Sequence, residues 1–279
     1  LLFLLVFKWG VAGYLLAYSL ADVVSLAYMA YKCEATDFWT TKSDAIIRHQ
    51  MLKYSIPLIP NQISWWALSS ITRYMMLGWI GVSAVGIYSA TLRIPTILTV
   101  LSDIFAQAWL LSALKDYGSE ESKSFINKMY SRYFAFLVVL TSILIILSQP
   151  LSHFLLSGDF SAYWRLIPFL FISVFWGALV GFLGSIFSAE RKNTMQFVST
   201  IIGALVSILL TAIFLKTYGV IVAALSTLCG YIVIWGIRKL SANKYIKLET
   251  GFIISVLQGT ILLIEATLVG KGYYSLALC

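Results

Sequence analysis

An all-helical, polytopic membrane bundle is predicted by three features of this 279-residue sequence. Hydrophobic residues make up 60% of it and charged residues only 11%, against roughly 25% charged in an average soluble domain. Mean hydropathy is +0.87. Eight stretches also reach the roughly 20 residues that a helix needs to cross about 30 Å of hydrocarbon, and they are apolar nearly all round.

The expected spans are 11–31, 54–79, 83–110, 132–156, 163–188, 194–215, 218–238 and 251–270. Leu1–Phe7 reads as the tail of a preceding span and Tyr273–Cys279 as the start of a following one. The chain is therefore expected to be an internal or C-terminal piece of a longer protein. The first span is rich in small residues and tyrosines, with Asp22 inside it. Pro57, Pro60, Pro95 and Pro168 lie within or at the starts of spans, where proline kinks a membrane helix. Gly177, Gly181 and Gly184 predict close helix contact. The reversals at Gly81, at Ser157-Gly158-Asp159 and at Tyr218-Gly219 are short, which forces antiparallel neighbours.

Charge fixes an orientation. With 32–53 in the cytoplasm, the inner segments hold most of the basic residues, among them Lys42, Arg48, Lys115, Lys128, Arg238 and Lys239. The outer segments hold only Lys8, Arg165, Lys216 and Lys271. The net charge of +8 is thus spread as the positive-inside rule demands, not gathered into a nucleic-acid patch. Trp9, Trp79 and Trp164 near outer boundaries and Trp109 near an inner one suit interfacial anchors. Cys33, Cys229 and Cys279 are too scattered for a disulfide framework, and His49 and His153 have no metal-ligand spacing.

A faint internal echo sets the domain reading. Laying Trp9-Gly10-Val11 on Tyr218-Gly219-Val220 also brings Leu16 onto Leu225 and Val24 onto Val233. Copies so far apart fit two parallel six-helix lobes. On that plan 1–31 ends the first lobe, 32–53 is a cytoplasmic interlobe linker and 54–240 is the second lobe. Residues 241–279 add C-terminal transmembrane segments.

Polar residues inside spans carry the functional signal. An arginine near the bilayer centre costs roughly 2.5–3.5 kcal/mol on insertion scales, so it must face water, an anion or a buried partner. In 54–79, Gln62, Trp66, Ser69 and Arg73 fall on one helical face. In 83–110, Ser89, Arg93, Thr96, Asp103 and Gln107 do the same. The two stripes are expected to face a shared interior, and the competing explanation is a structural ion pair between helices. Asp22, with Tyr14, Tyr18 and Ser25 on its face, and Asp103 are candidates for proton or sodium coupling or for interhelical hydrogen bonding. Glu265 is a weaker candidate.

The run Leu52-Lys53-Tyr54-Ser55-Ile56-Pro57-Leu58-Ile59-Pro60-Asn61, followed by Trp65-Trp66, resembles the opening of the second lobe of Wzx-type polysaccharide flippases. These form the polysaccharide-transport branch of the multidrug/oligosaccharidyl-lipid/polysaccharide exporter superfamily. Arg73-Tyr74, Gly86-Ile87-Tyr88, Arg93-Ile94-Pro95, Phe105-Ala106-Gln107-Ala108-Trp109 and Pro168-Phe169-Leu170 follow in the family's order, as do Tyr218-Gly219 and Ala223-Ala224-Leu225-Ser226-Thr227. Thr72 departs from it, since an acidic residue usually precedes the arginine matched by Arg73.

The resemblance implies a MATE-like two-lobe fold. It also implies alternating-access export of an undecaprenyl-pyrophosphate-linked oligosaccharide, an O-antigen or capsule repeat unit, across the bacterial cytoplasmic membrane. No enzyme chemistry and no cofactor are expected beyond proton or sodium coupling. The expected partners are the lipid-linked sugar, the bilayer and polysaccharide polymerase machinery. Guanidinium groups bind pyrophosphate through paired charge-assisted hydrogen bonds, which suits Arg73 and Arg93. Trp65, Trp66, Asn61, Gln62 and Gln107 suit sugar. A cation-coupled multidrug exporter and a peptidoglycan-precursor lipid flippase are the alternatives. A membrane enzyme would call for a large extramembrane loop or clustered interfacial His, Asp and Arg, which the sequence lacks.

Overall fold

A computed structural model describes residues 9–32, 45–56, 58–115, 120–156, 158–190, 192–243, 246, 248 and 250–272. The expected half-spans Leu1–Phe7 and Tyr273–Cys279, and Pro57, Cys33 and Cys279, lie outside these. The chain divides into two compact units, Leu1–Leu52 and Lys53–Cys279. The first contains α1 (Gly10–Lys32), and α2 (Ala45–Ser55) begins within the sequence expected to be an interlobe linker.

The second unit holds the rest of the fold. Its helices are α3 (Leu58–Trp79), α4 (Val82–Thr91), α5 (Thr96–Lys115), α6 (Glu120–Ile146), α7 (Ser148–Leu155), α8 (Ile167–Ala189), α9 (Asn193–Tyr218), α10 (Ile221–Ala242) and α11 (Phe252–Gly270). A 3-10 stretch, Gly158–Leu166, leads into α8. Among the described residues the fold is entirely helical, as the sequence predicts.

Among the described residues, five stretches are long and apolar enough to cross a membrane: Lys123–Ile146, Phe160–Ala189, Asn193–Tyr218, Ile221–Ala242 and Phe252–Gly270. A sixth is added if Val82–Thr91 and Thr96–Trp109, bent by 55° at their junction, count as one broken span. This is the make-up of a multi-pass membrane protein, with fewer spans than the eight expected. The expected spans 11–31 and 54–79 are helices of ample length but do not join this set. For α3 the reason is plain: Asn61, Gln62, Ser64, Ser69, Ser70, Thr72 and Arg73 dilute its hydropathy. The expected continuous helix 83–110 is broken at Leu92–Pro95, and 132–156 divides into α6 and α7.

Helix α8 is the hub. It has no charged residue, is buried on nearly all sides, and packs against α5, α6, α9, α10 and α11. Pro168 sits in its first turn, where a missing N–H costs nothing. Its Phe182 stacks on Trp109 at 4.6 Å between ring centres, and Phe105 stacks on Tyr133 at 4.0 Å. Trp109 is only 3% exposed and donates to Ser185 Oγ at 2.8 Å. It is a core residue of the bundle, not the interfacial anchor expected. Trp79 is exposed, with Lys216 Nζ 5.2 Å from its ring centre at the adjacent end of α9.

Helices α9 and α10 pack closest where glycines meet. A Cβ on Gly203 would come within 2.7 Å of the Gly230 carbonyl and collide with Ile234. The last helix, α11, packs on α6 and α8 within the same compact unit as α3–α10.

Candidate functional site

Helix α3 separates its polar residues into two classes. Asn61, Ser64, Leu68, Thr72 and Met76 are buried against the bundle. Gln62, Trp66, Ser69 and Arg73 all stand exposed on the other side, with Trp66 55% exposed and its ring 6.3 Å from that of Tyr74. Spacings of three and four keep a stripe on one face, so the sequence pattern alone dictates this grouping. Arg73 makes no hydrogen bond or ion pair among the described residues; its charge reaches the buried Tyr88 phenol of α4.

Arg93 sits in the break between α4 and α5, exposed, and its side chain also lacks a hydrogen bond or ion pair among the described residues. Pro95 supplies no N–H to close a helical turn there. At the end of α4, hydroxyls add to the backbone hydrogen bonds that Tyr88 O and Ala90 O accept from Leu92 and Arg93. Thr91 Oγ1 donates to Ile87 and Tyr88 O at 3.0 Å, and Thr96 Oγ1 donates to Leu92 O at 3.0 Å. The Arg93 N–H is itself bonded to Ala90 O at 3.2 Å, and α5 opens three residues further on, at Thr96. Thr96, Asp103 and Gln107 follow as exposed residues on α5.

The two stripes do not meet inside this unit. α3 packs on α9, α4 and α10, whereas α5 packs on α8 and α6, and both stripes face outward from the bundle. The shared interior expected from the sequence is thus not an interior of residues 53–279. An unpaired guanidinium turned outward beside apolar spans calls for a watery or anionic neighbour, not hydrocarbon. Asp22 is exposed on α1 in the unit Leu1–Leu52. Among the described residues there is no grouping of His, Cys, Asp and Glu fit to hold a metal ion.

Asn61 is not part of the outward stripe. It is 6% exposed, and its Oδ1 accepts a hydrogen bond from Thr200 Oγ1 of α9 at 2.9 Å. Thr200 in turn accepts from Arg238 Nη2 of α10 at 3.0 Å. Arg238 is 1% exposed, although its charge marked it as a loop residue. Its other donors meet Ser199 Oγ at 2.9 Å, Val180 O at 2.8 Å and Gln196 O at 3.2 Å. Gly184 makes the contact with α8 feasible, since a Cβ there would lie 2.6 Å from Nη1. The adjacent Lys239 turns the other way, donating to Thr250 O at 2.5 Å with its Nζ 4.6 Å from the centre of the Tyr130 ring.

Sequence reasoning missed this pair of buried cations. The available signal was Gln196, Ser199 and Thr200 on one face of α9, a stripe of neutral acceptors with no acidic residue beside it. Glu265 is likewise buried, accepting from Ser142 Oγ of α6 at 2.9 Å. Compared with known protein families, curated proteins and solved structures, the chain matches none.

Proposed function

We propose that this protein is a flippase of the bacterial cytoplasmic membrane, moving a polyprenyl-pyrophosphate-linked oligosaccharide from the cytoplasmic to the outer leaflet by alternating access. The observation that carries the proposal is Arg93, an exposed guanidinium without an ion-pair partner among the described residues, at the break of a spanning helix pair. Broken membrane helices characteristically present a half-helix N-terminus to an anionic group, and α5 begins three residues beyond Arg93, at Thr96. Arg93 supplies the planar two-pronged donor that a diphosphate accepts best.

The remaining stripe residues fit a glycan. Trp66 presents an exposed ring for sugar stacking, and Gln62 and Gln107 offer exposed amides. Asn61, engaged with Thr200, drops out of the sugar-facing set. Among the described side chains of α3–α5 and the break between them, the exposed charges are Arg73 and Arg93 against Asp103, a balance that favours an anionic cargo over a cationic drug. The lipid tail stays in the bilayer, and no bond is made or broken.

The test is export of surface polysaccharide in cells whose own flippase is replaced by Arg93 variants. Arg93→Ala should export very little. Arg93→Lys, which keeps the charge and loses the fork, should export an intermediate amount. Normal polysaccharide from a well-inserted Arg93→Ala protein would overturn the assignment.

A further inference from the structure

The stripe on α3 is held in place by a single polar bond, and that bond is built to release. Among the described residues, Thr200 Oγ1 to Asn61 Oδ1 is the only hydrogen bond tying α3 to another helix. The rest of the α3 interface is packing: Leu68 lies close to Gly230, and Trp65 meets Tyr231 at 5.8 Å. Asn61 falls in the first turn of α3, at the end that the charge pattern places toward the cytoplasm.

The Thr200 hydroxyl has one proton and two acceptors for it. It reaches Asn61 Oδ1 at 2.9 Å and the carbonyl of Gln196, one turn back on its own helix, at 2.8 Å. A hydroxyl donates once, so the second acceptor is a standby partner. When Asn61 departs, Thr200 keeps Gln196 O and still accepts from Arg238. Arg238 keeps Ser199, Val180 and Gln196 as acceptors. Neither Thr200 nor Arg238 loses its last partner when Asn61 leaves. Asn61, at a helix end, can take its own bonds from water. Unmaking a buried bond ordinarily costs the full desolvation of an orphaned group; here that cost is absent.

We infer that Asn61 is a positioning residue: its bond to Thr200, on the rigid Arg238 platform, is a latch that docks the cytoplasmic end of α3 and lets it swing free. The latch rests on the flippase reading only for its purpose, which is to open and close the stripe bearing Gln62, Trp66, Ser69 and Arg73. Its existence is testable without any substrate.

The experiment follows labelling of a single cysteine at Ser64, buried on the docked face of α3 one turn from Asn61, by a membrane-impermeant maleimide in inside-out vesicles of the whole protein with its natural cysteines replaced. Asn61→Ala and Thr200→Val should each speed labelling about fivefold, the population shift that losing one neutral hydrogen bond gives. Thr200→Ser, which keeps the hydroxyl, should match the unmodified latch. Asn61→Asp places a carboxylate one hydroxyl away from the buried guanidinium, strengthens the tether and should slow labelling by a similar factor. Assayed without the Ser64 cysteine, Asn61→Asp should raise thermal stability yet lower polysaccharide export. A purely structural bond would not give that combination. Labelling rates unchanged in Asn61→Ala and Thr200→Val would overturn the latch. If labelling responds as described while no Arg93 variant affects export, the latch stands and the flippase reading falls.

Discussion

Arg238 carries a charge in a site that offers it only neutral oxygens. Ser199, Thr200, Val180 O and Gln196 O replace its hydration shell, and no carboxylate is among its hydrogen-bond partners. Each of those acceptors has another bond available within its own helix. Ser199 Oγ donates to Gln196 O at 2.8 Å, and Thr200 does likewise. An unusual ranking follows. Arg238→Met removes the charge, roughly conserves volume and orphans nothing, so its cost should stay near the 1.5 kcal/mol ceiling of volume-conserving swaps. Arg238→Lys keeps a charge in the same pocket but cannot span three helices with one ammonium. It should cost several kcal/mol, in the range of a buried ion stripped of its partners, roughly 3–5 kcal/mol. Thermal unfolding in detergent ranks the two, and a lysine variant as stable as wild type would contradict the neutral-shell account. This residue was illegible in the sequence because a terminal Arg-Lys pair looks the same whether it caps a span or folds back into a core. Only the acceptor stripe on α9 and the missing Cβ at Gly184 distinguish the cases.

Helices are decided by what lies opposite them, and the glycines make the point. The sequence singles out Gly177, Gly181 and Gly184 on α8 as close-contact positions. Gly184 is one, because a Cβ would strike Arg238, but Gly181 faces open space and Gly177 leaves ordinary contact distance to Tyr231. The tightest crossing is instead between α9 and α10, at Gly203 and Gly230, where one helix's backbone nearly touches the other's. Spacing within a helix reveals a small-residue face but not which partner fills it. Gly203→Ala should therefore destabilise the bundle by the roughly 1–3 kcal/mol of overpacking, since backbone at 2.7 Å cannot yield as a side chain can. Gly181→Ala should be neutral to slightly stabilising, because helix propensity favours alanine by up to about 1 kcal/mol. Equal melting temperatures for the two variants would show that the α9–α10 contact is looser than described. The polar stripes, by contrast, were readable in advance. Residues three and four apart share a face whatever the helix packs against, so Gln62, Trp66, Ser69 and Arg73 emerge together. What the spacing left open was direction. Only the structure turns the stripe away from the bundle and sends Asn61, one residue earlier, into it.

At the scale of the molecule, composition points to a membrane bundle and the basic residues predict its orientation. In a bundle this apolar, the orientation depends on where basic residues collect at the ends of its spans. The structure makes that orientation countable. One span, Lys123–Ile146, separates Ser124 from Phe160, and three more, α8, α9 and α10, separate Phe160 from Asn243. Ser124 and Asn243 must then share a side, and Phe160 must lie opposite. All three are exposed, so a cysteine at each can be reached without disturbing the core. By the positive-inside rule, Lys123, Lys128 and Arg132 near the first predict that the shared side is the cytoplasm. Between Phe160 and the start of α8 the one basic residue is Arg165. In intact spheroplasts, a membrane-impermeant maleimide should label the cysteine at 160 and spare those at 124 and 243, and inside-out vesicles should reverse the pattern. Labelling of 124 and 160 from one face would mean that α6 does not span. α3 would then lose its assigned direction, with Asn61 no longer at the cytoplasmic end and Arg73 no longer toward the outer one.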